Sequence, residues 1–260
     1  MFWVIQSNLF KEESFSGLLD ALVKSNTGYA LVNTFESDMT PSINPEGPVY
    51  VTGSTSIKQV ARNKGWLYFD DNLNLELLLQ KYGSYMLNTD AICGQLKDIE
   101  HVWDEFHIRP VMDDKAFAGE VTNWPEFVEW RERISKMDCD NSITTLRVTD
   151  RVVMSSVKNI KYEYRIFVVD GKVVTGSLYR DNGELRYLNI DDQGQLEHVF
   201  IKCFVEDMVK IWCPNKAFAM DIADTGEEGF KIIEINSLNS SGFYKCDPLK
   251  YVAAINALKC

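Results

Sequence analysis

No apolar run in these 260 residues approaches the length of a membrane span. The opening residues, MFWVIQSNLFKEE, lack the basic segment and long apolar stretch of a secretory signal. Positive charge is scarce: 27 Lys and Arg against 38 Asp and Glu leave a net charge of −11, with no basic cluster longer than a few residues. That argues against nucleic-acid binding through a broad phosphate-neutralising face. Only three histidines are present, and the six cysteines form no C-x-x-C pair, which argues against a zinc site. No Ser–His or Cys–His signature is visible, so chemistry through a side-chain nucleophile has no obvious carrier. Free thiols in a cytoplasmic setting are expected, with no membrane and no nucleic-acid partner. Cys246 and Cys260 lie near each other in sequence, but nothing there demands a disulfide.

What is present is an ordinary globular composition, 45% hydrophobic, in a chain long enough for one large domain or two to three small lobes. The first third alternates strands (2–5, 29–32, 49–52, 66–69) with helical spacing at Phe15, Leu18, Leu19 and Leu22 and a helix over 57–63. Ser54 or Ser56 can cap that second helix, and Gly65 can end it. This alternation predicts a small α/β lobe with a mostly parallel sheet. A further amphipathic helix is expected over 73–82, closed by Gly83. Beyond residue 86, strands are expected over 101–109, 144–148 and 152–157, and a helix capped by Asn123 runs from 126 to 134. Asp170-Gly171 between the apolar runs 162–169 and 172–179 is a strong hairpin signal. A last helix spans 200–212.

Four clusters carry chemistry. In Lys231-Ile-Ile-Glu-Ile-Asn236, Glu234 and Asn236 sit two apart in an apolar strand and so point to one face. Asp221 closes the run Ala217-Phe-Ala-Met220, and turn chemistry at Thr225, Gly226 and Gly229 makes a hairpin that lays Asp221 beside them. Three grouped oxygen donors suit magnesium, which completes its shell with phosphates and water; a solvent-facing polar hairpin is the alternative. Second, Arg165 and Arg180 fall on adjacent antiparallel strands, toward the same open end, and two guanidiniums there can grip phosphate or carboxylate oxygens. Third, Arg109 to Gly119 reads as a strand feeding a loop with a cation at each end. Fourth, Ser237, Asn239, Ser240 and Ser241 lead into Gly242, a small-residue turn able to hold a carboxylate or phosphate. An exposed arginine pair, a plain loop and a simple strand exit are the alternatives for these last three.

In this order the clusters resemble the ATP-grasp superfamily over about residues 100–247. The most specific parts are Glu163-Tyr-Arg-Ile-Phe-Val-Val-Asp-Gly-Lys-Val-Val174 and Ile233-Glu-Ile-Asn236 with Asp221 upstream. The chain looks closest to ATP-grasp domain-containing proteins of bacteria and their viruses with an R-P-x-x-D-x-K-x-F-x-G stretch, here Arg109 to Gly119. The resemblance implies an α/β ATP-grasp fold of two lobes (about 100–157 and 158–260, within 89–260) after a small pre-ATP-grasp lobe at 1–88. It implies ATP and Mg2+ as cofactors. Asp221, Glu234 and Asn236 would hold the metal, and Arg165 and Arg180 would act on the transferring phosphoryl group. Arg109, standing where many relatives have lysine, and Lys115 and Lys158 would serve the nucleotide phosphates. Met154, Ser155 and Ser156 of the hinge strand would meet the base, although a methionine there is more often plain core. Ser237, Asn239, Ser240 and Ser241 would bind substrate. The implied activity is carboxylate–amine ligation through an acyl phosphate, with an amino acid, peptide or protein end as partner. A phosphotransferase that stops at phosphorylation and a non-catalytic nucleotide-binding module are the rival readings.

Overall fold

Trp3, Ile5 and Tyr50 come from the first fifty residues, yet they share one core with Phe167, Ala219 and Tyr251 in the computed structural model. The structure describes all residues except 9–12, 36–37, 112–116, 118, 140–145, 193–194, 227 and 260. Two compact units result: Met1–Asn72 with Ile160–Cys260, and Leu73–Asn159.

In the first unit, β1 (Phe2–Gln6), β2 (Tyr29–Phe35) and β4 (Val49–Thr52) are parallel, and the short β3 (Asp38–Thr40) adds an antiparallel edge, in the order β3-β2-β1-β4. Helix α1 (Glu13–Lys24) supplies Leu18 and Leu22 to the core under this sheet. Helix α2 (Thr55–Lys64) begins at Ser54, whose side chain accepts from Ser56 N, and stops at Gly65 in a left-handed conformation that a Cβ would disfavour. It buries Ile57 and Val60 with Val4, Val32 and Val51.

Residues 66–69, expected as a strand, make a single bridge, Leu67 to Tyr50. Their backbone is claimed by a side chain instead: Phe69 N donates to Asn239 Oδ1 at 2.8 Å, and Leu67 O accepts from Asn239 Nδ2 at 3.1 Å. A strand partner has nothing left to pair with there.

The second sheet is antiparallel throughout, ordered β11-β10-β9-β12-β13. The Asp-Gly turn joins β9 (Tyr162–Val169) to β10 (Lys172–Asp181) as expected, and both turn residues take positive φ. Strand β11 (Glu184–Asn189) is an addition the sequence did not announce, because its residues are polar and mostly exposed. Strand β12 (Ala217–Asp224) runs three residues past Asp221 before the turn, and β13 is Phe230–Ser237. Thr225 N and Oγ1 both donate to Gly229 O, closing that turn. Helix α5 (Gln195–Ile211) contacts β10. Helix α6 (Pro248–Asn256) is capped by Asp247, which accepts from Leu249 N and Lys250 N. It brings Tyr251, Val252 and Ile255 into the shared core.

The second unit opens with α3 (Leu75–Tyr82), capped by Asn74. Its sheet, β5-β8-β6-β7, is antiparallel: β5 is Ile92–Gln95, β6 Glu105–Pro110, β7 Glu120–Asn123 and β8 Arg151–Ser156. One face packs Phe106, Ile108, Val152 and Met154 against Phe127 of α4 (Trp124–Cys139), which Asn123 caps through a bond from Glu126 N. The strand expected from residue 101 begins only at Glu105. The strand expected over 144–148 is not formed in its described part: Asp150 accepts from Arg147 N and bends residues 146–150 into a turn.

Among the described residues no helix is long and apolar enough to cross a membrane. Cys93, Cys203, Cys213 and Cys246 are free thiols, while Cys260 lies outside the described residues.

Candidate functional site

The five-stranded sheet has one face of two characters. Toward one end Phe167, Val169, Ala217 and Ala219 join the core. Toward the other, the register sets Ser177, Arg165, Asp221 and Glu234 opposite one another in a row crossing β10, β9, β12 and β13. A bulge follows Asp221 on the β12–β13 pair, and Asn236 lies one step along the face from Glu234.

Arg165 holds Asp221 with its fork: Nε donates to Oδ1 at 2.8 Å and Nη2 to Oδ2 at 2.7 Å. Asp221 is 2% exposed and the Arg165 side chain 11%. Asn236 Nδ2 donates to Glu234 Oε1 at 2.8 Å and to Asp221 Oδ2 at 3.3 Å. Asp221 and Glu234 also share a side-chain hydrogen bond. Burial lifts the Asp221 carboxyl, Arg165 draws it down, Glu234 raises it again, and it comes to about 6. Burial works against the charge on Arg165, but the Asp221 carboxylate outweighs it and keeps the guanidinium firmly protonated.

The arginine pair is arranged differently from the expected clamp. Arg180 is 44% exposed, donates to Gly183 O at 3.0 Å and lies 3.8 Å from Glu163 Oε1. The register shift between Leu178 and Arg180 turns Tyr179 inward instead, where its hydroxyl donates to Glu163 Oε2 at 2.8 Å. Tyr244 stacks on Tyr179 at 5.0 Å, and the Arg165 guanidinium lies 5.1 Å from the Tyr244 ring centre. Burial raises the Tyr244 hydroxyl above its ordinary value, while Arg165 and Arg180 both draw it down. Sequence reasoning missed Tyr179 and Tyr244 as members of the site. Tyr244, at the end of the small-residue loop, is the signal that could have found them.

In the second unit Arg109 lies in β6, paired in register with Val153. Lys115 lies outside the described residues. Lys158 Nζ donates to Asp90 Oδ1 and to Ser156 Oγ, both at 2.7 Å, and Ser156 N donates to Asp90 Oδ2. Asp90 is a partner that no local pattern could suggest, 68 residues away. Met154 packs into the core, the plain alternative for that position. Ser155 Oγ is buried and makes no hydrogen bond within the described structure.

The small-residue loop is held from within. Asn239 uses both amide hydrogens on Val51 O and Leu67 O and its oxygen on Phe69 N, which corrects the expectation that it meets substrate. Ser241 Oγ donates to Ser237 O, and Ser237 Oγ reaches toward Asn239 Oδ1 at 3.5 Å. Ser240 is the least buried of the four.

A family model for the ATP-grasp domain, describing the second family of its clade, matches residues 91–254. The chain belongs to this ATP-grasp family. No curated protein matches it. Among solved structures, a RimK domain ATP-grasp protein from Sphaerobacter thermophilus is similar at TM-score 0.59 and 11% identity, covering 92% of this chain and 91% of that one. D-alanine–D-alanine ligase from Bacillus anthracis gives 0.58 and 12%, with 98% and 92% covered. L-amino acid ligase from Bacillus licheniformis gives 0.55 and 9%, with 90% and 66% covered. The mixed α/β architecture is that of the ATP-grasp fold.

Among the described residues no three His, Cys, Asp or Glu side chains gather as a metal set, so the donors are two carboxylates and a carboxamide. Their chemistry fits a hard divalent cation: they are oxygen-bearing, few in number, and include a carboxyl kept partly protonated by burial and by its carboxylate neighbour.

Proposed function

We propose that this chain is an ATP-dependent carboxylate–amine ligase working through an acyl phosphate, with Mg2+ as the metal. The observation that carries the reading is the row of Arg165, Asp221 and Glu234, with Asn236 beside it, on a sheet inside the matched family region. The similar D-alanine–D-alanine and L-amino acid ligases support it at the level of reaction type.

Asp221, Glu234 and Asn236 would hold magnesium, which supplies charge neutralisation for the triphosphate when bound. Asn236 would then turn its oxygen toward the ion, a rotation of the carboxamide that changes no other atom. Arg165 orients Asp221 through both carboxylate oxygens and presents its remaining charge toward Tyr244. Arg180, more exposed, is the guanidinium able to meet a phosphoryl or carboxylate oxygen. Arg109, Lys115 and Lys158 would serve the nucleotide, with Asp90 orienting Lys158. Ser155 Oγ would find its partner in bound nucleotide, and Ser240 would be the loop hydroxyl left for substrate. In the reaction, a substrate carboxylate oxygen bonds to the γ-phosphorus as the bond to ADP breaks. An amine nitrogen then attacks the acyl carbon, phosphate leaves, and the amine gives up a proton.

Hydroxylamine distinguishes this from phosphorylation alone. With Mg-ATP and a mixed pool of amino acids and dipeptides, ADP release should be accompanied by a hydroxamate, because an acyl phosphate reacts with hydroxylamine and a phosphorylated hydroxyl does not. ADP without hydroxamate would move the chain to the phosphotransferase class.

The raised carboxyl of Asp221 also sets a pH dependence. Between about pH 4 and pH 6 the folded protein keeps a proton that the unfolded chain has released. Without metal, this group therefore makes stability fall as pH rises through that window. Magnesium competes with the same proton, so its stabilising shift in melting temperature should be absent at about pH 5 and grow above about pH 6. A shift equally large at the lower pH would place the metal elsewhere.

A further inference from the structure

The matched family and its metal row leave unexplained a cavity of about 920 Å3 in the first unit. Its lining includes Tyr187, Phe243, Tyr244, Lys245, Cys246 and Asp192, and its size falls in the range of small-ligand sites. One wall is the outer part of a three-ring stack. Tyr244 is the middle ring, 5.0 Å from Tyr179 at 16° and 5.3 Å from Tyr187 at 14°. Tyr187 is the last ring, covered by Tyr244 on one side and still 42% exposed.

Two observations say that this wall is built rather than incidental. Tyr244 takes φ of +49°, a conformation that bulky L residues avoid, and so places its ring in the stack against backbone preference. The same ring receives the Arg165 guanidinium at 5.1 Å, so the wall of the cavity is continuous with the residues that hold Asp221. Cys246 contributes an inert surface, since burial keeps its thiol protonated.

We propose that this cavity binds an aromatic amino-acid residue of a substrate, free or within a peptide, with its ring stacked on Tyr187. The inference deepens the ligase reading above and rests on it for the word substrate. A flat ring continues the parallel stack, which an aliphatic side chain cannot do with the same overlap. Asp192 and Lys245 on the same lining offer one charge of each sign for the amine or the carboxylate of the residue.

The test is a calorimetric titration of the full chain without nucleotide. The ligands are L-phenylalaninamide, N-acetyl-L-phenylalanine and the alanine counterpart of each. At least one phenylalanine compound should bind roughly threefold to tenfold more tightly than its alanine counterpart, the range expected for one aromatic contact. Which blocked form binds tells whether the residue enters by its amine or its carboxylate. Tyr187→Phe should keep the preference and Tyr187→Ala should erase it, with Tyr187→Leu, which preserves bulk on the edge strand, as a second variant. Equal binding of phenylalanine and alanine compounds, no binding of any, or a preference that survives both Tyr187→Ala and Tyr187→Leu would overturn the proposal. Because no nucleotide is present, aromatic binding with no hydroxamate in the earlier experiment would retain the pocket and reject the ligase. Hydroxamate without aromatic preference would do the reverse.

Discussion

Glu234→Gln should reduce Mg-ATP-dependent ADP release by roughly a hundredfold or more, the scale on which removing one preorganised charge from a transition-state site is felt. The folded state should hardly notice. Glutamine has the same size, Glu234 is half-buried, and its Oε1 can go on accepting from Asn236 Nδ2 as the carboxylate does at 2.8 Å. A thermal melt within a few degrees of the parent beside a collapsed turnover would therefore separate charge from packing. Turnover within a few-fold of the parent would remove Glu234 from the metal assignment.

Arg165 is expected to behave in the opposite way, as a residue whose loss is read first in stability. Arg165→Leu leaves the Asp221 carboxyl at 2% exposure facing Glu234 with its fork-shaped partner gone. Breaking a buried pair from one side costs about 3–5 kcal/mol, because the remaining charge stays buried and uncompensated. The midpoint of urea unfolding should drop accordingly with an unchanged slope. The double substitution Arg165→Leu with Asp221→Leu should recover much of that loss, since neither charge is then stranded. Arg165→Lys keeps a positive charge but not the two parallel bonds, so it should fall between these in stability and lose turnover more than ATP affinity. A loss below about 1 kcal/mol in Arg165→Leu would mean that the pair contributes little to the fold.

The elements that were legible in the sequence are those whose signal is local. Asp170-Gly171 fixed a hairpin because a two-residue turn of that chemistry admits few alternatives, and Ser54, Asn123 and Gly65 act at helix ends for equally local reasons. The convergence of Asp221 with Glu234 and Asn236 also followed from strand alternation and one turn. What escaped was set by partners far along the chain. Arg165 looked like the mate of Arg180, its hairpin neighbour, but β12 pairs on the other side of β9 and offers Asp221 instead. Leu67 and Phe69 read as a strand because nothing nearby reveals that a side chain some 170 residues later takes their hydrogen bonds. Strand β11 lacks the apolar alternation that marks half-buried strands, being a solvent-facing edge. Tyr179 faces inward through an irregularity in the β9–β10 ladder, which no pattern of residue types specifies.

Asn239 has a practical consequence for anyone preparing pieces of this protein. Its carboxamide meets Val51 and Leu67, its carbonyl meets Gly53, and the hydrophobic interior around it includes Trp3 and Tyr50. A fragment trimmed to 91–254, the span recognised as the family's domain, would lose every one of those partners. It would expose Phe167, Phe243 and Tyr251 to water along with an orphaned amide. Such a truncation should emerge insoluble, and adding residues 1–72 as a separate chain is the natural attempt at rescue.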